Sequence, residues 1–186
     1  MKIMLLERPG DELRHGDILR NIDFPAYRSI DGDQATLSIL RFPRAVVLSQ
    51  DCDLASDLLS VEKQDIRLVS VLMAPLYEMS DAADGNHLRG LGMHSDGLRG
   101  KNSGSGKDLR QNANPRYHCL PLSQAGIDPD LIADFKHYFS VSADYLMAVR
   151  RLAIVASLNV PYREDLCQRF AAYLTRIGLE KPIYAQ

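Results

Sequence analysis

No apolar run in these 186 residues approaches the ~18 that a membrane-crossing helix requires. The N-terminal MKIMLLERPGDE also turns acidic too early for a secretory signal. No membrane association is expected, and the cytoplasm is the expected location. Cysteine is scarce as well: Cys52, Cys119 and Cys167 are odd in number, far apart and without a CxxC pair. That spacing excludes a disulfide framework and a zinc cage of paired cysteines, so reduced thiols are expected. Charge of one sign is lacking too, since 22 Lys+Arg stand against 24 Asp+Glu for a formal net charge of -2. Such a chain has no global attraction for nucleic acid or anionic lipid, and any such binding needs a local patch.

What is present, 46% hydrophobic and 25% charged residues, is ordinary globular composition in a length that suits one domain over residues 1–186. Gly16-Asp17 supplies turn chemistry directly before apolar residues, which predicts a turn feeding a strand. Arg44-Ala-Val-Val-Leu-Ser49 is short and β-branched, the pattern of a buried strand ending in Gln50-Asp51-Cys52-Asp53. Ile66 to Pro75 reads as a further core strand that Pro75 ends. Between about residues 80 and 115, seven glycines among Ser, Asn and Asp leave little apolar surface, which predicts a flexible insertion. Strands resume at Arg116–Pro121 and Asp134–Val141, Ser142 caps a short helix, and Leu152–Ala156 is buried strand or helix. Leu166, Phe170, Tyr173, Leu174 and Ile177 recur at helical spacing between Pro161 and Gly178, which predicts an amphipathic helix at 159–179. The fold class is therefore α+β and mainly β, with residues 1–79 and 116–158 as its two β-rich halves.

The order Gly16-Asp17-Ile18, then Arg44-Ala-Val-Val-Leu-Ser, then a strand ending Ala74-Pro75, resembles the PemK/MazF-like superfamily of small barrels. The resemblance implies an SH3-like barrel. In the ribonuclease toxins of that superfamily, an Arg opening this strand and a Ser or Thr opening the later one act on the scissile phosphate. Arg44 matches the first, although Ala rather than Pro follows it, and the second position falls near Asp65 or Ile66, which carry no hydroxyl. Val46 to Leu54, with Pro161-Tyr-Arg-Glu-Asp-Leu-Cys-Gln-Arg-Phe170 and Arg176-Ile-Gly-Leu179, is similar to an uncharacterised family of bacterial proteins. That family carries a Cys-Asp-Leu strand end and a C-terminal Pro-Tyr-Arg-Glu helix.

Three functions follow from these residues. An RNA-binding or RNA-processing protein would use Arg44 and the Asp51 to Asp53 turn, with Arg99, Lys101, Lys107 and Arg110 of the locally basic insertion on the polyanion. A metal- or thiol-dependent hydrolase would centre on Cys52, Asp53 and His118, with His118-Cys119 supplying a base or completing a mixed S/N/O ligand set. The flanking carboxylates Asp51 and Asp53 disfavour a Cys52 thiolate unless His or Arg approaches. The same residues also fit a buried thiol whose two neighbours cap a turn. A non-catalytic module would dock a protein through the terminal helix. The implied partners are RNA or a protein, a second copy of the chain included, and no motif specifies a cofactor.

Overall fold

Strands β1 (Asp17–Asp31) and β2 (Gln34–Val47) form a long antiparallel hairpin whose base is core and whose far part is not. Ile18, Leu19, Ile22, Phe42 and Ala45 to Val47 are buried, whereas Leu37 and Ile39 are 56% and 61% exposed. The computed structural model describes residues 12–31, 34–59, 68–93, 107–126 and 129–176. Residues Ala45 to Val47 of β2 pair with β3 (Ser70–Glu78), and Asp17 to Leu19 of β1 pair with β7 (Ile154–Ser157). Beyond those pairings the hairpin is a two-stranded arm.

Pro75 does not end β3, contrary to expectation. In an antiparallel strand, alternate residues direct their N–H and C=O to the same edge, and the Leu72 carbonyl faces β2, where it accepts from Leu48 N. Residue 75 therefore faces the other edge. There β6 (Phe139–Ser142) stops at Met73 and β5 (Leu131–Asp134) starts at Leu76, so the missing N–H falls in the gap between two partners. The expected strand 134–141 is split at the same place by a 3-10 turn, Phe135–His137, whose first amides are turned by the Asp134 side chain accepting from Lys136 N.

Strand β4 (Tyr117–Leu120) pairs with β5, giving the order β4-β5-β3-β2-β1-β7 with β6 beside β3. Among the described residues the sheet is open, and β4 and β7 do not close it into the expected barrel. Helix α5 (Tyr162–Leu174) lies across that opening: the Arg163 carbonyl bonds to His15 just before β1, while Arg169 Nη2 donates to the Tyr117 carbonyl at the start of β4. The architecture is α+β, mainly antiparallel sheet.

Alternation along the strands builds two faces. Leu19, Ala45, Val47 and Met73 face helix α4 (Ala143–Ala153), while Ile18, Val46, Ala74 and Leu76 share a cluster with Leu166 and Phe170 of α5. Helix α4 is longer than the short helix expected, and Ser142 caps it by accepting from Tyr145 N. Helix α1 (Asp51–Leu59) starts where a strand-end turn was expected. Among the described residues of the segment 80–115, α2 (Met79–Asp84), a 3-10 turn at Arg89–Leu91 and α3 (Lys107–Arg110) form, and Ala82, Ala83, Leu88 and Leu109 are buried. Few side chains suffice there because small alanines let the helix approach β4 and β5 closely. Helix α5 ends at Leu174 with Thr175 as its cap, and the expected Gly178 cap lies outside the described residues. No described helix is long and apolar enough to cross a membrane.

Candidate functional site

The three motifs singled out in the sequence, around His15-Gly16-Asp17, Ser49 to Cys52 and Arg163-Glu164, meet at one junction. His15 N donates to Asp51 Oδ1 at 2.6 Å, Arg163 Nη1 lies 3.4 Å from Asp51 Oδ2, and the His15 ring spans the Ser49 and Arg163 carbonyls at 3.2 and 3.0 Å. Gly16 is there for its backbone: its φ is +80°, and a Cβ would stand 3.0 Å from the Arg163 Cβ. Asp17 accepts from Arg14 N at 2.8 Å and pairs with Ser157; burial raises its carboxyl above the usual range, and those bonds offset only part of the rise. These bonds fasten α5 to the start of β1 and α1.

Among the described residues, Cys52, Asp53, His118 and Cys119 do not come together as the expected mixed ligand set. His118 and Cys119 are adjacent on β4 and so face opposite sides of the sheet. The His118 ring stacks on Phe135 beside α5, whereas Cys119 belongs to the cluster under α2 and α3. Burial, with the Arg169 charge nearby, pushes His118 down to about 4, and burial pushes the Cys119 thiol up to about 11. Cys52 and Asp53 are exposed on the first turn of α1, where the Cys52 thiol points to its neighbour's carboxylate at 3.6 Å. Cys167 meets Gln50 Nε2 at 3.0 Å. Among the described residues no three His, Cys, Asp or Glu side chains converge as metal ligands.

Of the expected polyanion contacts, Arg110 is bound 2.8 Å from Asp130, Lys107 opens α3, and Arg99 and Lys101 lie outside the described residues, as do Asp65 and Ile66. Arg44 is different. It sits on β2 directly opposite Arg20 of β1, and the two arginines border a groove of about 490 Å³. The groove is the part of the α5-facing sheet surface that α5 leaves uncovered, floored by Ile18, Leu122, Leu131 and Ala156, with Glu78 at its rim. Among the described residues no carboxylate lies within ion-pair distance of either arginine. Arg20 Nε donates to the Leu152 carbonyl at 3.3 Å, and Asp23 is taken by Arg41 at 2.6 and 2.9 Å. Arg20 was missed in the sequence, though, two residues after buried Ile18, it shares the face on which Arg44 stands two residues before buried Val46.

A second groove of about 310 Å³ shares Pro43, Arg44 and Glu78 with the first and is bounded by Tyr77, Asn86, His87 and Gly90. His87 is buried, not the solvated loop histidine its surroundings predict, because Tyr77 and Tyr117 enclose its ring at 5.2 and 6.2 Å. Behind it Asp134, wholly inaccessible, holds Arg116 by two bonds of 2.7 and 2.5 Å and has His137 Nδ1 at 3.0 Å. Burial raises the Asp134 carboxyl, and the His137 and Arg116 bonds outweigh it and leave it below the usual range. Neither a known family model nor a curated protein matches the chain.

Proposed function

We propose that the protein binds single-stranded RNA along the uncovered groove, with the phosphates at Arg20 and Arg44 and a sugar or base on the apolar floor. The observation that carries this reading is a pair of facing arginines, without a carboxylate partner among the described residues, over a concave apolar surface. Guanidinium groups match phosphate geometry in two parallel bonds, and arginines without a carboxylate partner are available for such a ligand. Further support comes from the resemblance to PemK/MazF-like ribonucleases, in which the arginine corresponding to Arg44 contacts the scissile phosphate. An SH3-like ancestry of the sheet, with α5 in place of strand closure, belongs to the same proposal. The exposed position of Cys52 and Asp53 and the burial of His118 favour this reading over thiol or metal hydrolysis.

Fluorescence anisotropy with a labelled single-stranded RNA tests it. Arg20→Ala and Arg44→Ala should each weaken binding, while Arg14→Ala, remote from the groove and paired with Glu12, should not. Equal binding by all three variants and the parent would refute the groove, and absence of binding at low salt would refute the function. Strand scission by the parent, abolished in Arg44→Ala, would make the protein an RNA-processing enzyme.

A further inference from the structure

We propose that the smaller groove beside Arg44 is a nucleobase pocket that accepts a base bearing an exocyclic amino group, so that the bound strand is read at one position as well as held by its phosphates. This rests on the RNA reading above and deepens it. Its volume of about 310 Å³ is at the small end of ligand pockets, suited to a base but not to a folded peptide. Because Arg44 borders both grooves, a phosphate on its guanidinium leaves the adjoining base at the pocket mouth.

The lining sets the chemistry. Tyr77 supplies an aromatic wall, and base stacking on such a ring is indifferent to sequence. Selection must come from the polar groups. Glu78 and Asp81 line the pocket with Arg41, whose charge Asp23 already takes, so an anion inside is disfavoured and a hydrogen-bond donor is favoured. Asn86 offers both a donor and an acceptor. His87 and Tyr77 back the pocket: among the described residues, neither ring nitrogen of His87 nor the Tyr77 hydroxyl has a hydrogen-bond partner, and all three atoms are buried. The closest carboxylate oxygen to the His87 ring, Asp134 Oδ2, is 3.8 Å from Nε2, too far for a hydrogen bond. The His87 side chain is inaccessible and forms the back of the wall, so the polar groups a base meets are those of Glu78, Asp81 and Asn86. Acceptor carboxylates at the mouth suit the amino groups of cytosine, adenine or guanine. Uracil, which presents carbonyl oxygens there, meets like partial charge.

Oligo-C and oligo-U discriminate cleanly, being unstructured pyrimidine strands that differ by amino against carbonyl. The parent protein should bind oligo-C about tenfold more tightly than oligo-U, the discrimination of one good base contact. Asn86→Ala should bring that ratio close to one. So should Gly90→Leu, since a Cβ at Gly90 meets nothing within 4 Å and the added side chain enters open space. Arg44→Ala should weaken both strands alike. Equal affinity of the parent for the two strands, or a ratio unchanged in both folded pocket variants, would overturn the pocket while leaving the phosphate groove standing. Binding of neither strand would overturn the RNA reading and the pocket with it.

Discussion

At the scale of single residues, the most exacting commitment is Asp134. Its carboxylate is inaccessible to water and depends on Arg116 and His137 for its charge. Removing one partner of such a pair leaves a buried charge uncompensated, so Arg116→Ala should cost about 3–5 kcal/mol in urea denaturation. Replacing both, as Arg116→Met with Asp134→Leu, should recover much of that loss, and a double variant less stable than the single one would contradict the argument. His118 makes a pH prediction. Burial holds it at about 4 in the folded protein against 6.5 in an exposed histidine, and the Asp165 carboxylate, 4.0 Å away but half in solvent, does not reverse this. Between those values the unfolded chain carries a proton that the folded protein lacks, so stability falls as pH drops from about 6.5 to about 4, by up to roughly 3 kcal/mol. His118→Gln should flatten that slope. A parallel slope in the variant would assign the effect to other groups.

At the scale of elements, α5 and the β1–β2 arm are opposites. Leu166 and Phe170 of α5 are buried, and the Phe170 ring lies 5.3 Å from Phe135 and 5.5 Å from Tyr138. Phe170→Ala should therefore cost roughly 3–5 kcal/mol by leaving a cavity, and truncation before Pro161 should yield insoluble protein. A truncated chain that melts with the parent would mean the helix is a docking face instead. The far part of the arm, from Ala26 to Ser38, places no described residue in the core, and a two-stranded ribbon gains almost nothing without a third layer. Replacing Ala26 to Ser38 by Asn-Gly should change stability by less than about 0.5 kcal/mol, read from thermal melts. A large loss would show that the arm folds back on the body.

For the whole molecule, a near-neutral chain offers no global attraction to a polyanion, so the proposed binding depends on local arginines such as Arg20 and Arg44. RNA affinity should fall with salt, and Arg44→Ala should reduce the slope of log affinity against log salt by about 0.7, the share of one single-strand phosphate. An unchanged slope would mean that Arg44 touches no phosphate. Much of the fold was legible in the chain itself. The Gly16-Asp17 turn, the buried strand after Arg44, the Ser142 cap and the apolar stripe from Leu166 to Phe170 are local, since capping, β-branching and periodicity act over a few neighbours. Pro75 misled because its cost depends on which edge its nitrogen faces, a property of β5 and β6 rather than of β3. In the described parts of the glycine-rich segment, the burial of Ala82, Ala83 and Leu109 is not legible from composition, because it needs only small surfaces beside Tyr117, Cys119 and Ile132. The sequence by itself determined that strands and a terminal helix form and that Arg44 lies in a strand with the buried run Ala45 to Val47. The tertiary structure alone decided that Asp51 serves His15 and Arg163, 36 and 112 residues away, and that Arg44 faces Arg20 over an open groove. Partners so distant along the chain are brought together only by register and packing, which no local pattern encodes.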